Sequence, residues 1–460
     1  MRIIWNLIKL NILLLILIFG ILVGLSSYAS SAEFDCSTEK KYSQIWYYND
    51  CGGDINKNNN DDKVITTLYN GDWGQDEYWK LNDSKGYKNG LYSEIPENAN
   101  PDFDILTHYL RKYITYSDKG KKYYKFTIEP TEAKTFEKDL EEDKAITKAL
   151  NKTALLSYIM YDNGTIVIDE ITPEDRFGNY FKHDTTYPSN SMGKSIQSYI
   201  LGHAVCKGYI GSIHQPIQWD IINGTAFEGQ PLINILNMSS GINKYMKDNW
   251  SSKFRKSKRW VNSTSLESIM QNEMKDSKAA KSAGRVYAYN NLNTNLFSSY
   301  VLHLMGIEAY ENMLNEIFAD KVGIENNVIF YKTRESNDED SVTYGMHISR
   351  MDYMRIAVAM LEDWNNNTCE GQYLKSLHKN KIKKNIEYRH NRFGFTNPKN
   401  YGGQFHWGMS GGKQEEPIGI MHGYAGQNIV IDFENNKIVS ILAIHQNFPW
   451  MRLVHSKFKD

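Results

Sequence analysis

A serine hydroxyl becomes a nucleophile only when a neighbouring base removes its proton, and Ser191-Met192-Gly193-Lys194 offers such a pair. On a helix, positions i and i+3 share a face, so the Lys194 amine can reach the Ser191 hydroxyl. Lysine serves as that base where desolvation or nearby positive charge lowers its pKa toward the working pH. The first turn of a helix also favours a developing oxyanion. The same Ser-x-x-Lys spacing recurs at Ser37, Ser376, Ser410 and Ser456, so the tetrapeptide by itself decides nothing. Only Ser191 opens a long apolar-periodic helix that follows a strand hairpin. From the residues alone, Ser191 stands level with an ordinary helix-capping serine.

The elements that must position this pair are legible around it. Residues 154–161 and 165–170 are β-prone runs joined by Asp162-Asn163-Gly164, a strong hairpin signal. Residues 191–208 read as a helix, with Ile196, Tyr199, Ile200, His203 and Ala204 on one stripe and Gly208 as its stop. Helical periodicity returns at 232–238, 292–305 and 352–364, and more weakly at 105–116 and 135–151. Near the C-terminus, β-prone residues 427–433 and 437–445 flank Glu434-Asn435-Asn436. Strands, a helical middle and strands again predict an α+β domain. Its antiparallel sheet takes strands from both ends of the segment and is flanked by an all-helical region.

Composition bounds the rest. The chain has 460 residues, with 53 Lys and Arg against 54 Asp and Glu, so no global field draws it to nucleic acid. Residues 1–32 carry Arg2 and Lys9 ahead of an apolar run at 12–25 and end on small residues at Ala32. That pattern reads as a secretory signal, with an uncleaved membrane anchor as the alternative. Either delivers the remainder outside the cytoplasm, to a periplasmic or extracellular site. Residues 33–150 read as an N-terminal extension, irregular and aromatic-bearing over 33–100, and 151–460 as the catalytic domain. Cys36 and Cys51 are spaced to close a small loop in an oxidising compartment. Cys206, inside an apolar helical pattern, reads as a buried free thiol. No cysteine pair has metal-ligand spacing with histidine and no His-Glu-x-x-His occurs, so no metal or cofactor is expected.

Several further segments carry a resemblance when taken in order. The stretch from Tyr187 through Ser191 and Lys194 to Gly208-Tyr209-Ile210 resembles the nucleophile helix of the β-lactamase-related serine hydrolases. Ile235-Leu236-Asn237-Met238-Ser239-Ser240-Gly241 is similar to the family's Leu-Leu-x-Met-Thr-Ser-Gly segment, and Tyr289-Asn290-Asn291 to its Tyr-x-Asn. Ser349-Arg350-Met351-Asp352 begins a stretch resembling its Ser-x-x-Asp helix start. Tyr401-Gly402 through Trp407 is similar to its Tyr-Gly-x-x-Trp strand. Together these cover about residues 153–448, and their order is far more specific than any one of them.

The resemblance implies a β-lactamase/transpeptidase-like fold and a covalent acyl-enzyme. Ser191 would be the nucleophile, Lys194 its base and Tyr289 the proton shuttle, while Asn291 would orient Lys194 or substrate. The family's Lys-Thr-Gly strand is replaced by His422-Gly423-Tyr424-Ala425-Gly426-Gln427. An amide near Tyr424 would join that of Ser191 as oxyanion hole. His422 would either stand in for the missing cation or serve the strand structurally. The expected substrate is a small or short peptide-like molecule carrying an amide or ester bond. The alternatives are a D,D-peptidase or β-lactamase acting on cell-wall-type peptides, and a non-catalytic binding protein that keeps the fold. A rival nucleophile elbow, Gly408-Met409-Ser410-Gly411-Gly412, is rejected because a loop rather than a helix follows it and too little chain remains.

Overall fold

The computed structural model of the chain describes residues 123–458, apart from 154, 175–177, 179–180, 243–265, 335–339, 385–397, 410–412, 424–425, 444–447 and 449. The signal, Cys36, Cys51, the periodicity at 105–116 and Tyr424 lie outside the described residues. Among those described, no helix is long and apolar enough to cross a membrane, and no group of three metal-ligating side chains assembles.

The strands are β1 (Tyr123–Ile128), β2 (Glu137–Lys138), β3 (Leu155–Asp162), β4 (Thr165–Ile171), β5 (Thr186–Pro188), β6 (Val328–Arg334), β7 (Asp340–Ser349), β8 (Ile382–Lys383), β9 (Asn400–Gly402), β10 (Phe405–Trp407), β11 (Ile418–His422), β12 (Asn428–Asp432) and β13 (Lys437–Ala443). They form a nine-stranded sheet in the order β2-β4-β3-β13-β12-β11-β10-β9-β8 and a four-stranded one in the order β1-β6-β7-β5. The β3–β4 hairpin turns at Asn163 and Gly164, both at positive φ, where asparagine and glycine are the residues of least strain. β13 pairs antiparallel with β3, so the large sheet does join the two ends of the catalytic segment. Among the described residues, only the short edge pair β2–β4 is parallel.

Period-two alternation puts the large sheet between two cores. Ile429, Ile431, Ile438 and Leu442 face the helical side. Val430, Val439 and Ile441 face the other, against α1 (Lys144–Lys152) and the C-terminal helix Trp450–His455. On the helical side lie α2 (Met192–Cys206), α3 (Leu232–Leu236), α4 (Asn291–Met305), α5 (Arg350–Asn366) and α6 (Cys369–Lys379). α2 is buried from Met192 to Ala204, which accounts for apolar residues all round it rather than on one stripe.

Three expectations are corrected. The periodicity at 135–151 is a helix only from Lys144, because Asp143 caps it by accepting from the Ala145 and Ile146 amides, and the residues before it supply β2. The stretch Tyr401–Trp407 is a tight hairpin, β9 and β10, turning at Gly403 and Gln404 with φ of 58° and 70°. Cys206 is no free thiol: it is bonded to Cys369 across 163 residues of sequence, which juxtaposes the end of α2 and the start of α6. Residues 123–152 contribute strands to both sheets.

Candidate active site

β5 leads into the turn that carries Ser191. The Ser189 amide continues the β5–β7 pairing by donating to Met346 O at 2.8 Å, and the Met346 amide donates to Ser189 Oγ at 3.1 Å. Asn190 turns the chain at φ 49°, and Ser191 takes the N-cap position of α2. Its hydroxyl makes no capping hydrogen bond. Instead Lys194 Nζ donates to Ser191 Oγ at 2.8 Å, and the Tyr289 hydroxyl donates to the same oxygen at 2.7 Å. The structure therefore brings together Ser191, Lys194 and Tyr289, which are drawn from positions up to 98 residues apart.

Gly193 is required by a close approach. A methyl group there would fall 1.9 Å from the Tyr344 carbonyl oxygen, so β7 sits directly against the first turn of α2. Lys194 is 1% exposed. Burial holds its amine well below the ordinary lysine value, because a low-dielectric surrounding disfavours the charged form. Its Nζ lies 3.5 Å from the centroid of the Tyr344 ring and 5.0 Å from that of Tyr289. By contrast, the Ser376–Lys379 copy of the motif closes α6 and leaves its lysine exposed.

Tyr289 is held by the turn that starts α4. Asn290 is the N-cap, its side chain accepting from the Leu292 amide at 2.8 Å. The Ala288 amide donates to Met238 O at 2.6 Å, so the segment 237–241 after α3 supports the tyrosine from below. Asn291 is the half-buried first residue of α4, and no hydrogen bond joins it to Lys194 among the described residues. Gln404 locks the frame. Its backbone oxygen accepts from Ser195 Oγ on α2, its Oε1 from Thr294 Oγ1 on α4, and its Nε2 donates to Leu236 O at 2.7 Å.

On the opposite wall, Gly423 follows β11. A methyl group there would lie 2.8 Å from Ser189 O and 3.1 Å from Gln427 Cβ, so the turn after β11 presses on the residue pair before Ser191. The Gly423 amide is spent on Gln427 O at 2.7 Å. The oxyanion-hole amide expected near Tyr424 falls outside the described residues. His422 Nδ1 lies 2.6 Å from Asn428 Oδ1, and its ring stacks 6.1 Å from that of Trp450, which ties it to the strand. Ser349 and Asp352, read as part of a family signature, form the N-cap of α5: Ser349 Oγ accepts from the Asp352 amide, and Asp352 accepts from the Glu325 and Asn326 amides. The Gly408-Met409 turn leads from β10 toward its antiparallel neighbour β11, which is not the strand-to-helix geometry of an elbow.

Sequence reading missed Tyr344 and Gln404. Tyr344 lies in β7, a strand that carries no motif of its own, and Gln404 lies within a motif marked by its glycines and tryptophan.

No protein-family model and no curated protein matches the chain. Solved structures do. One described as a 6-aminohexanoate-dimer hydrolase from Bacillus anthracis is similar with a TM-score of 0.53 and 13% identity, over 82% of this chain and 96% of its own. Another, described as a beta-lactamase from Bacteroides dorei, has a TM-score of 0.50 and 15% identity, over 68% of this chain and 96% of its own. At such identities the likeness is one of fold.

Proposed function

We propose that this chain, which has the fold of the β-lactamase-related serine hydrolases, is an exported serine hydrolase that cleaves an amide or ester bond through an acyl-enzyme on Ser191. The observation that carries the reading is the convergence of Lys194 Nζ and the Tyr289 hydroxyl on Ser191 Oγ, at 2.8 and 2.7 Å.

Burial favours the neutral amine of Lys194, and a neutral amine can accept across the same contact that an ammonium donates through. The Ser191 proton passes to Lys194 as Oγ bonds to the substrate acyl carbon. Collapse of the tetrahedral intermediate breaks the bond to the leaving group, which takes its proton from the Tyr289 hydroxyl; Lys194 resupplies Tyr289. Water then enters by the reverse route and releases the acid. The Ser191 amide and one near Tyr424 would stabilise the oxyanion. Export is consistent with the N-terminal pattern and with the Cys206–Cys369 disulfide, since such bonds persist in oxidising compartments.

The test is covalent labelling of the purified protein with a fluorophosphonate, followed by peptide mapping. Label on Ser191, lost in Ser191→Ala with the fold intact, is the expected result. A folded wild type that stays unlabelled would point to a catalytically silent relative. Turnover of D-Ala-D-Ala peptides against small linear amides and esters then separates a cell-wall peptidase from the amide or ester hydrolase proposed.

A further inference from the structure

We propose that Tyr344 is a positioning residue for the Lys194 base: its ring face steadies the amine against Ser191 and stabilises the ammonium formed when the amine takes the Ser191 proton. This rests on the roles of Ser191 and Lys194 given above.

The ring centroid is 3.5 Å from Lys194 Nζ, well within the range at which an aromatic face attracts a cation. Lys194 is buried, so water competes little for the ammonium and the attraction is at its strongest. A neutral amine gains almost nothing from the face, whereas the ammonium gains fully. The contact therefore acts on the state after proton transfer, which is where an interaction accelerates a reaction. It also answers a problem of the site: burial keeps the amine neutral and ready, yet the same burial would penalise the charge once it forms. The backbone fixes the ring in place. Tyr344 O packs on Gly193, and two residues on, Met346 pairs in both directions with Ser189. The strand that carries the ring is thus held to the turn that carries the nucleophile.

The sign of the effect follows. Burial pushes the Lys194 amine down and the ring pushes it partly back up. Weakening the ring's negative face must therefore move the acid limb of the pH–rate profile to lower pH and reduce the plateau rate.

The experiment measures fluorophosphonate labelling of Ser191 against pH in the full-length protein, in Tyr344→Phe, and in chains where Tyr344 is replaced by phenylalanine bearing one, two or three ring fluorines. These rings keep nearly the same shape while fluorine drains the π-face, so folding is held constant. Tyr344→Phe should behave as wild type. Successive fluorines should step the limb to lower pH and lower the plateau, by roughly threefold to thirtyfold over the series. A profile indifferent to fluorination would overturn the proposal, because a purely steric wall gives that result. A shift already complete in Tyr344→Phe would overturn it too, assigning the effect to the hydroxyl. Failure of the wild type itself to label at any pH strikes the proposed function rather than Tyr344 alone.

Discussion

Lys194 pays for its readiness with stability. Its folded pKa lies below the unfolded value, so between the two the unfolded chain binds more protons and stability rises with pH across that window. Below the window the folded state holds a buried ammonium and the loss of stability is complete. Lys194→Met keeps the volume of the side chain and removes this penalty. We expect it to raise the midpoint of thermal unfolding, by a stabilisation of about 0.5–2 kcal/mol, while lowering turnover or Ser191 labelling by ~10²–10⁴-fold. A melting curve and a labelling rate on one preparation check both. A variant that is both inactive and less stable would mean that Lys194 holds the site together rather than burdening it.

At the scale of elements, Ser191 and Tyr289 sit at the starts of separate helices, α2 and α4, and their separation is set by Gln404 in the β9–β10 turn. Its left-handed backbone, with φ of 70°, aims one side chain and one carbonyl at three elements. Gln404→Leu would leave Thr294 Oγ1 short of its partner in a buried setting, at about 1–3 kcal/mol, while Leu236 O keeps the backbone amide of residue 404 as donor. We expect a lower unfolding midpoint together with a fall in Ser191 labelling larger than the stability loss explains, since Tyr289 shifts from Ser191. Unchanged labelling in a destabilised protein would show that α4 finds its place without Gln404. The pair Ser191–Lys194 was legible because a helix turns three residues into a contact, and the β3–β4 hairpin because Asn163-Gly164 states its own turn. Gln404 and Tyr344 were not, since their roles depend on neighbours about 110 and 150 residues away, which no local periodicity records. Ser349 and Asp352 were likewise legible as a helix start, and they form the cap of α5, because capping is local chemistry written in neighbouring residues.

For the whole molecule, α2 is fixed at both ends by different means. Its N-terminus is held by β7 and the turn after β11, and its C-terminus by Cys206–Cys369. The helix has 15 residues, so the disulfide lies roughly 22 Å from Ser191 along its axis, too far to touch substrate. Sequence reading made Cys206 a buried thiol because a partner 163 residues away leaves no local trace; only the packing of α2 on α6 reveals it. There Gly202 approaches Tyr373 so closely that a methyl group would fall 2.6 Å from its ring, and Ser198 Oγ hydrogen-bonds the Tyr373 hydroxyl at 2.9 Å. Because those contacts survive reduction, the bond should act mainly by restricting the unfolded chain. Cys206→Ser with Cys369→Ser should therefore cost about 2–5 kcal/mol of stability and leave Ser191 labelling at 25 °C within about twofold. Reductant should lower the unfolding midpoint of the wild type toward that of the double variant. If the double variant melts with the oxidised wild type, the bond adds no stability; if it folds but no longer labels, the disulfide reaches the nucleophile through α2 and is part of how the site is built.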